Sequence, residues 1–214
     1  TLIAANYVVK HSDTQRFVLT GKISYPGYTA LEQARLLPQL QPHLHTLRDQ
    51  TTETAYLSLR QHDEIVVSAI VDSPQALKVS LLYVGYNGAA HAMALGKSIL
   101  AYLDERDVSA YLRRFGMPAL TNHTILEEAA FNDELARVRE RGYSIDLEEF
   151  APGICCIGAP IFGATGRVVA SLAISLPASR YYADSVALVQ QVLAAAEAAT
   201  RALAVLAYTT PENP

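Results

Sequence analysis

Apolar and polar residues alternate along this chain with more than one rhythm, and the rhythms divide it. YVVK (7–10) and RFVL (16–19) are short β-prone runs around the turn-forming HSDTQ, which predicts a small hairpin. From Thr29 to Asp49 the apolar positions Leu31, Ala34, Leu37, Leu40, Leu44 and Leu47 recur every three or four residues, the spacing of one helix face. Pro38 and Pro42 fall inside that helix and are expected to kink or split it, since each removes a backbone donor. From residue 53 the period shortens. TAYLSLR (54–60) and IVVSAIV (65–71) predict a hairpin, and KVSLLYV (78–84) predicts a third strand. HAMALGKSILAYL (91–103) then reads as a helix with a broad apolar face, and Asp104 starts a second, shorter one that ends near Gly116. Thr124 and Glu127 have the spacing of a capping box, opening a helix with Phe131, Leu135 and Val138 on one face and Gly142 at its end. YSIDLEE (143–149), ICCIGAPIF (154–162) and RVVASLAISL (167–176) are strands, the last two joined around Gly163–Gly166. From Arg180 to Tyr208 a long helix carries few charges and must be covered by the sheet, by a partner chain, or by both.

Strands, then helices, then strands and a helix give an α/β fold of the α+β type: a mostly antiparallel sheet flanked by helices, with room for a pocket between the layers. The order lacks the strand–helix alternation of a doubly wound nucleotide-binding fold. The expected organisation is a hairpin remnant of a larger domain at 1–24, a linker helix at 25–50, a main domain at 51–208 and a tail at 209–214.

Composition narrows the function classes. Half of the 214 residues are hydrophobic and 18% are charged, so the chain can bury a core. The net charge of -4 leaves no basic footprint, so these residues alone should not hold DNA. No leader and no apolar run of spanning length is seen, which predicts a soluble cytoplasmic protein. The first residue is Thr1 rather than Met, which suggests a further segment upstream. No cofactor or metal is expected: Gly96-Lys97-Ser98 resembles a phosphate loop, but His91 stands where its first glycine belongs.

Four places could carry chemistry. At 91–98 the small residues Ala92, Ala94, Gly96 and Ser98 allow close approach to a helix start, whose free N–H groups favour an anion, and no acid occurs from Ser73 through Leu103. The plainer alternative is tight helix–sheet packing. Asp146, Glu148 and Glu149 form an acidic turn. Paired carboxylates can do acid–base work, but a solvated turn is the commoner outcome, with Asp146 the one most apt to point inward. Cys155 and Cys156 are adjacent and must face opposite sides of a strand, which excludes a staple between them. With no histidine at a telling spacing they read as packing rather than as a nucleophile. Ser175, near the end of its strand, can serve a ligand carboxylate or the backbone. A small cysteine- or carboxylate-dependent hydrolase is the alternative to a binding domain.

Several segments together resemble one family. HAMALGKSILAYL is similar to the HATALGKALLA stretch of IclR-type transcription regulators. ELARVRERGYSIDLEEFAPGICCIGAPIF and RVVASLAISLPASR are similar to its later blocks, in the same order and spacing, and NYVVKHSDTQRFVLTGKI resembles the hairpin that ends its winged-helix DNA-binding head. The resemblance implies a GAF/PAS-like effector-binding domain of a homodimeric or tetrameric regulator. Operator DNA would be bound through an N-terminal head, and the effector would be a small carboxylate or aromatic acid. Effector-binding positions carried over by it are Leu77, Ser80, Gly88, Ala94, Leu95, Asp146, Ile154, Cys156, Ala173 and Ser175. Ala173 stands where the family often has serine, Leu176 where it has glycine, and Gly88 where it often has a bulkier residue. These departures alter donors and pocket volume. Tyr83 and Tyr86 could favour an aromatic acid, or simply pack at the sheet edge.

Overall fold

A computed structural model describes residues 8–10, 17–19 and 24–209. The chain divides into two compact units, Thr1–Leu36 and Leu37–Pro214. In the first, β1 (Val8–Lys10) and β2 (Phe17–Leu19) pair antiparallel with Val8 opposite Leu19, as the two β-prone runs predict. The turn between them lies outside the described residues. Helix α1 (Ser24–Thr51) begins in this unit and ends in the second. It runs unbroken through Pro38 and Pro42, contrary to the expected split. Leu40 between the two prolines and Leu44 and Leu47 after them are fully buried, and that burial holds the helix together where propensity alone would break it.

The second unit is built on a five-stranded antiparallel sheet, in the order β4 (Glu64–Val71), β3 (Thr54–Gln61), β7 (Val168–Pro177), β6 (Ile154–Phe162) and β5 (Ser144–Leu147). KVSLLYV is not a sixth strand. Residues 72–89 form an irregular connection that is hydrogen-bonded to edge strand β4 where Gly85 N donates to Val67 O, Val67 N to Tyr86 O and Asn87 Nδ2 to Glu64 Oε2. The start of the connection is tied down elsewhere: Lys78 pairs with Asp72 at 2.6 Å, and the Ser73 hydroxyl donates to Thr52 O. Leu77, Leu81, Tyr83 and Val84 stay exposed, so its β-branched and apolar residues find no ladder to join.

The segment 91–103 is helical over a shorter span than its apolar pattern predicts. A single 3-10 turn, Ala90–Ala92, precedes α2 (Ala94–Leu100), because Met93 is extended between them. Helix α3 (Glu105–Phe115) ends at Gly116, which takes a positive φ of 70°. Helix α4 (Glu128–Arg141) buries Phe131, Leu135 and Val138 as expected and ends at left-handed Gly142. Its start is not a capping box. Glu127 is extended with no side-chain cap, and the Thr124 hydroxyl instead accepts from Thr121 N at 2.9 Å and donates to Glu149 O at 2.7 Å. Thr124 is thereby recruited by the β5–β6 turn.

Two helices sandwich the sheet. Helix α5 (Ala178–Thr209), broken at Asp184, packs against β6 and β7, while α2 packs against β5, β6 and β7. The apolar length of α5 is thus partly met by the sheet, whose Cys155, Ile157, Ala159, Leu172, Ile174 and Leu176 are almost completely buried. The α2 face is smaller and more polar, and it positions the site.

Candidate effector-binding cavity

Sheet register aligns the residues that matter. Asp146 of β5 is directly opposite Cys156 of β6, which is directly opposite Ser175 of β7. The three form a row across one face. Two residues along each strand, Ser144, Gly158 and Ala173 form the next row, continued by Tyr56 of β3.

Helix α2 is seated on this second row by small residues and hydroxyls. A Cβ on Gly158 would lie 2.9 Å from the carbonyl carbon and oxygen of Ala94, so only glycine admits the helix at this distance. The Ser144 hydroxyl donates to Ala94 O at 2.6 Å and the Ser171 hydroxyl to Leu95 O at 2.8 Å. Inside the helix, a Cβ on Gly96 would fall 2.3 Å from Ala90 O, so that glycine lets the preceding 3-10 turn fold over α2. The stripe of small residues therefore does the packing work that the plainer alternative assigned to it, and in doing so it sets the helix entrance beside the Asp146–Cys156–Ser175 row.

Between entrance and row lies about 350 Å³ of atom-free space, its mouth included. Met93, Ala94 and Leu95 line it from the helix side, and Tyr56, Asp146, Ile154, Cys156, Ala173 and Ser175 from the sheet. Leu81, Leu82 and Phe150 close the remaining side. Seven of the ten carried-over positions thus share one cavity. Leu77, Ser80 and Gly88 are not among its lining residues: the first two are exposed on the 72–89 connection, and Leu81 and Leu82 from that connection line the cavity instead. Tyr83 and Tyr86 are not in the lining either. They pack edge to face with each other, and Tyr86 does the same with Phe150.

The polar groups of the cavity are few and buried. Asp146 is fully buried, and its Oδ1 accepts from the backbone N–H of Glu149 at 2.7 Å and of Phe150 at 3.3 Å. Its Oδ2 has no hydrogen-bond partner among the described residues. The Cys156 thiol donates to Ser175 Oγ at 3.4 Å, which leaves the Ser175 hydroxyl proton available to a ligand. Behind this row the acidic turn is not the solvated face expected of it. Glu149 is buried, and its Oε1 sits 2.5 Å from Nζ of Lys97, itself fully buried in α2. Burial pushes the Asp146 carboxyl up to about 7 and also raises Glu149, in both cases against the opposing pull of Lys97.

The thiols are not primed for attack. Burial, reinforced by the neighbouring Asp146 carboxyl, pushes Cys156 well above its ordinary range and lifts Cys155 to about 11. A thiolate is the nucleophilic form, so both cysteines are expected to react with a neutral-pH thiol reagent much more slowly than a free thiol. Labelling of the folded protein at pH 7.5, followed by mass spectrometry, checks this. Labelling of Cys156 as fast as free cysteine would reopen the hydrolase alternative, which nothing in the cavity favours.

Residues 28–201 match the family described as Bacterial transcriptional regulator IclR C-terminal. The chain belongs to this family. It is 29% identical over 180 residues to the HTH-type transcriptional regulator BhcR of Paracoccus denitrificans (strain Pd 1222), covering 84% of this chain and 64% of that protein. With the HTH-type transcriptional regulator KdgR of Escherichia coli (strain K12) it shares 31% identity over 181 residues, covering 85% of this chain and 68% of that one. Among solved structures, the IclR protein of Thermotoga maritima superposes with a TM-score of 0.75 at 29% identity, over 95% of this chain and 82% of the other. The α+β sheet architecture inferred from strand order is the architecture of IclR-type C-terminal domains, and these relatives are transcriptional regulators. The chain spans 64% and 60% of the length of the first two curated relatives it matches.

Sequence reasoning missed the seat and the counter-charge. Ser144, Gly158 and Ser171 look like ordinary strand residues until the register places them under α2. Lys97 offered a usable signal: a lone cation within a run of small and apolar residues that all become buried requires an anion, and Glu149 is that anion.

Proposed function

We propose that this chain is the effector-sensing and oligomerisation part of a cytoplasmic DNA-binding transcription regulator, and that its effector is a small organic acid held in the α2–sheet cavity. One observation carries the effector assignment: Asp146, Cys156 and Ser175 stand in one cross-strand row facing a cavity that is otherwise apolar, with Asp146 Oδ2 unpartnered and the Ser175 hydroxyl free to donate. A few convergent polar groups in an apolar recess are what fixes a small ligand's orientation.

The remaining parts of the proposal have their own support. The net charge of -4 is consistent with DNA being read by a head outside these residues, and the β1–β2 hairpin fits the end of a winged helix. Exposed Tyr182, Val186 and Val205 on α5 favour self-association as a homodimer or tetramer. An effector would act by preferring one of two subunit arrangements, and it can shift their balance only by its differential affinity.

Calorimetric titration of the protein with small aliphatic and aromatic acids tests the site. Ser175→Ala removes a donor to a charged group, so the affinity of a responding acid should fall about 10- to 100-fold. Unchanged affinity in Ser175→Ala would remove Ser175 from the site and with it the proposed pose.

A further inference from the structure

An acid in this cavity meets a carboxyl of the protein, and two carboxylates in one buried recess repel. The arrangement of the buried charges resolves the conflict. Lys97 comes from α2, Glu149 from the β5–β6 turn and Asp146 from β5, and all three are buried. Lys97 is committed to Glu149 at 2.5 Å, so one cation serves two acids and the cluster is neutral only when one acid keeps a proton. Asp146 is the acid without a paired cation. Its Oδ1 already accepts from two backbone N–H groups and its Oδ2 accepts from none, so the proton belongs on Oδ2.

We infer that Asp146 recognises the effector as a neutral carboxylic acid whose Oδ2–H donates to the effector's carboxylate, so that effector and one proton bind together. This rests on the acid reading of the cavity. The other groups facing Asp146 agree with it. From β6, Cys156 stays a thiol, as does Cys155 on the strand's other face, and the buried Tyr56 hydroxyl in the next row stays protonated. Glu148, beside Asp146 in the turn, is occupied with Gly153 N, and Glu134 of α4 adds negative charge near Glu149. Lys97 of α2 is the cation among these groups. Burial, aided by the Glu149 charge and opposed by Lys97 and the two backbone N–H groups, moves the Asp146 carboxyl to about 7, where it changes state near neutrality. A neutral acid beside the Ser175 hydroxyl makes a two-donor receptor for a carboxylate. A ligand carrying an ammonium group instead would require the ionised form, so the same residue selects acids against amines.

The test is calorimetry of the full chain with acetate, lactate and benzoate from pH 6 to pH 9, a range in which all three acids stay ionised. Above about pH 7 the affinity of a responding acid is expected to fall about tenfold per pH unit. Heats in two buffers of different ionisation enthalpy should show uptake of one proton at pH 8. Asp146→Asn keeps a donor at that atom without a titratable proton and should bind with a flat profile, whereas Asp146→Ala should bind weakly at every pH. The wild-type profile needs no variant. Binding that is flat or strengthens with pH, or a slope that survives in Asp146→Asn, overturns the proton-linked mode while leaving the acid reading intact. No heat from any of the three acids at pH 6 overturns both.

Discussion

Replacing Lys97 by Met should cost about 3–5 kcal/mol of folding stability, the usual consequence of stranding one member of a buried ion pair. Met matches the length of the lysine stem and packs well, so the loss comes from Glu149, which is buried and would keep its charge without a counter-ion or take up a proton to lose it. Urea unfolding followed by circular dichroism reads this as a lower midpoint at unchanged slope. Lys97→Met/Glu149→Leu removes both charges and should recover most of the loss, since an apolar pair of similar volume is often no worse than the ion pair it replaces. A cost below about 1 kcal/mol for the single change would mean that Glu149 finds another partner, and the charge balance assigned to the cluster would be wrong.

Gly96→Ala should be nearly as severe for one methyl group. The added carbon would sit 2.3 Å from Ala90 O and 2.4 Å from Ala90 Cβ, and the atom it meets first is backbone that cannot rotate away. Overpacking of this kind typically costs 1–3 kcal/mol, and contact with fixed atoms puts this site at about 3 kcal/mol. Because alanine ordinarily favours a helix interior over glycine by up to about 1 kcal/mol, the sign of the effect is informative. Destabilisation seen by thermal melting supports the fold-over of Ala90–Ala92 on α2, and stabilisation refutes it. The helix entrance would have to shift to accept the methyl group, so the acid affinity of the cavity should fall with the stability.

Much of the fold was legible in the chain because its strands are marked twice, by β-prone runs and by the short polar or glycine-containing turns between them. β3, β4, β6 and β7 fall within a residue or two of the expected spans, and their hairpin pairings follow from short connections. The failures have a common physical cause, in that local pattern was outcompeted by a tertiary partner. KVSLLYV has strand composition but no ladder, and Leu81 and Leu82 serve the cavity instead. Thr124 has cap spacing, but the Glu149 carbonyl takes its hydroxyl. Met93 fits an apolar helix face, yet it is extended so that Gly96 can meet Ala90. The inward direction of Asp146 and the cavity-wall position of Cys156 were readable from strand alternation and from family resemblance together. Lys97–Glu149 was not, since 52 residues separate the partners and neither spacing nor composition links them.

The central claim is that the space between the α2 entrance and the Asp146–Cys156–Ser175 row holds the effector's carboxylate. A crystal structure of the protein with the acid that gives the largest calorimetric heat tests it directly. The account predicts density for the acid in that space, with its carboxylate within hydrogen-bond distance of Asp146 Oδ2 and Ser175 Oγ. Density for the acid elsewhere on the molecule, with this space filled by repacked side chains, would contradict it.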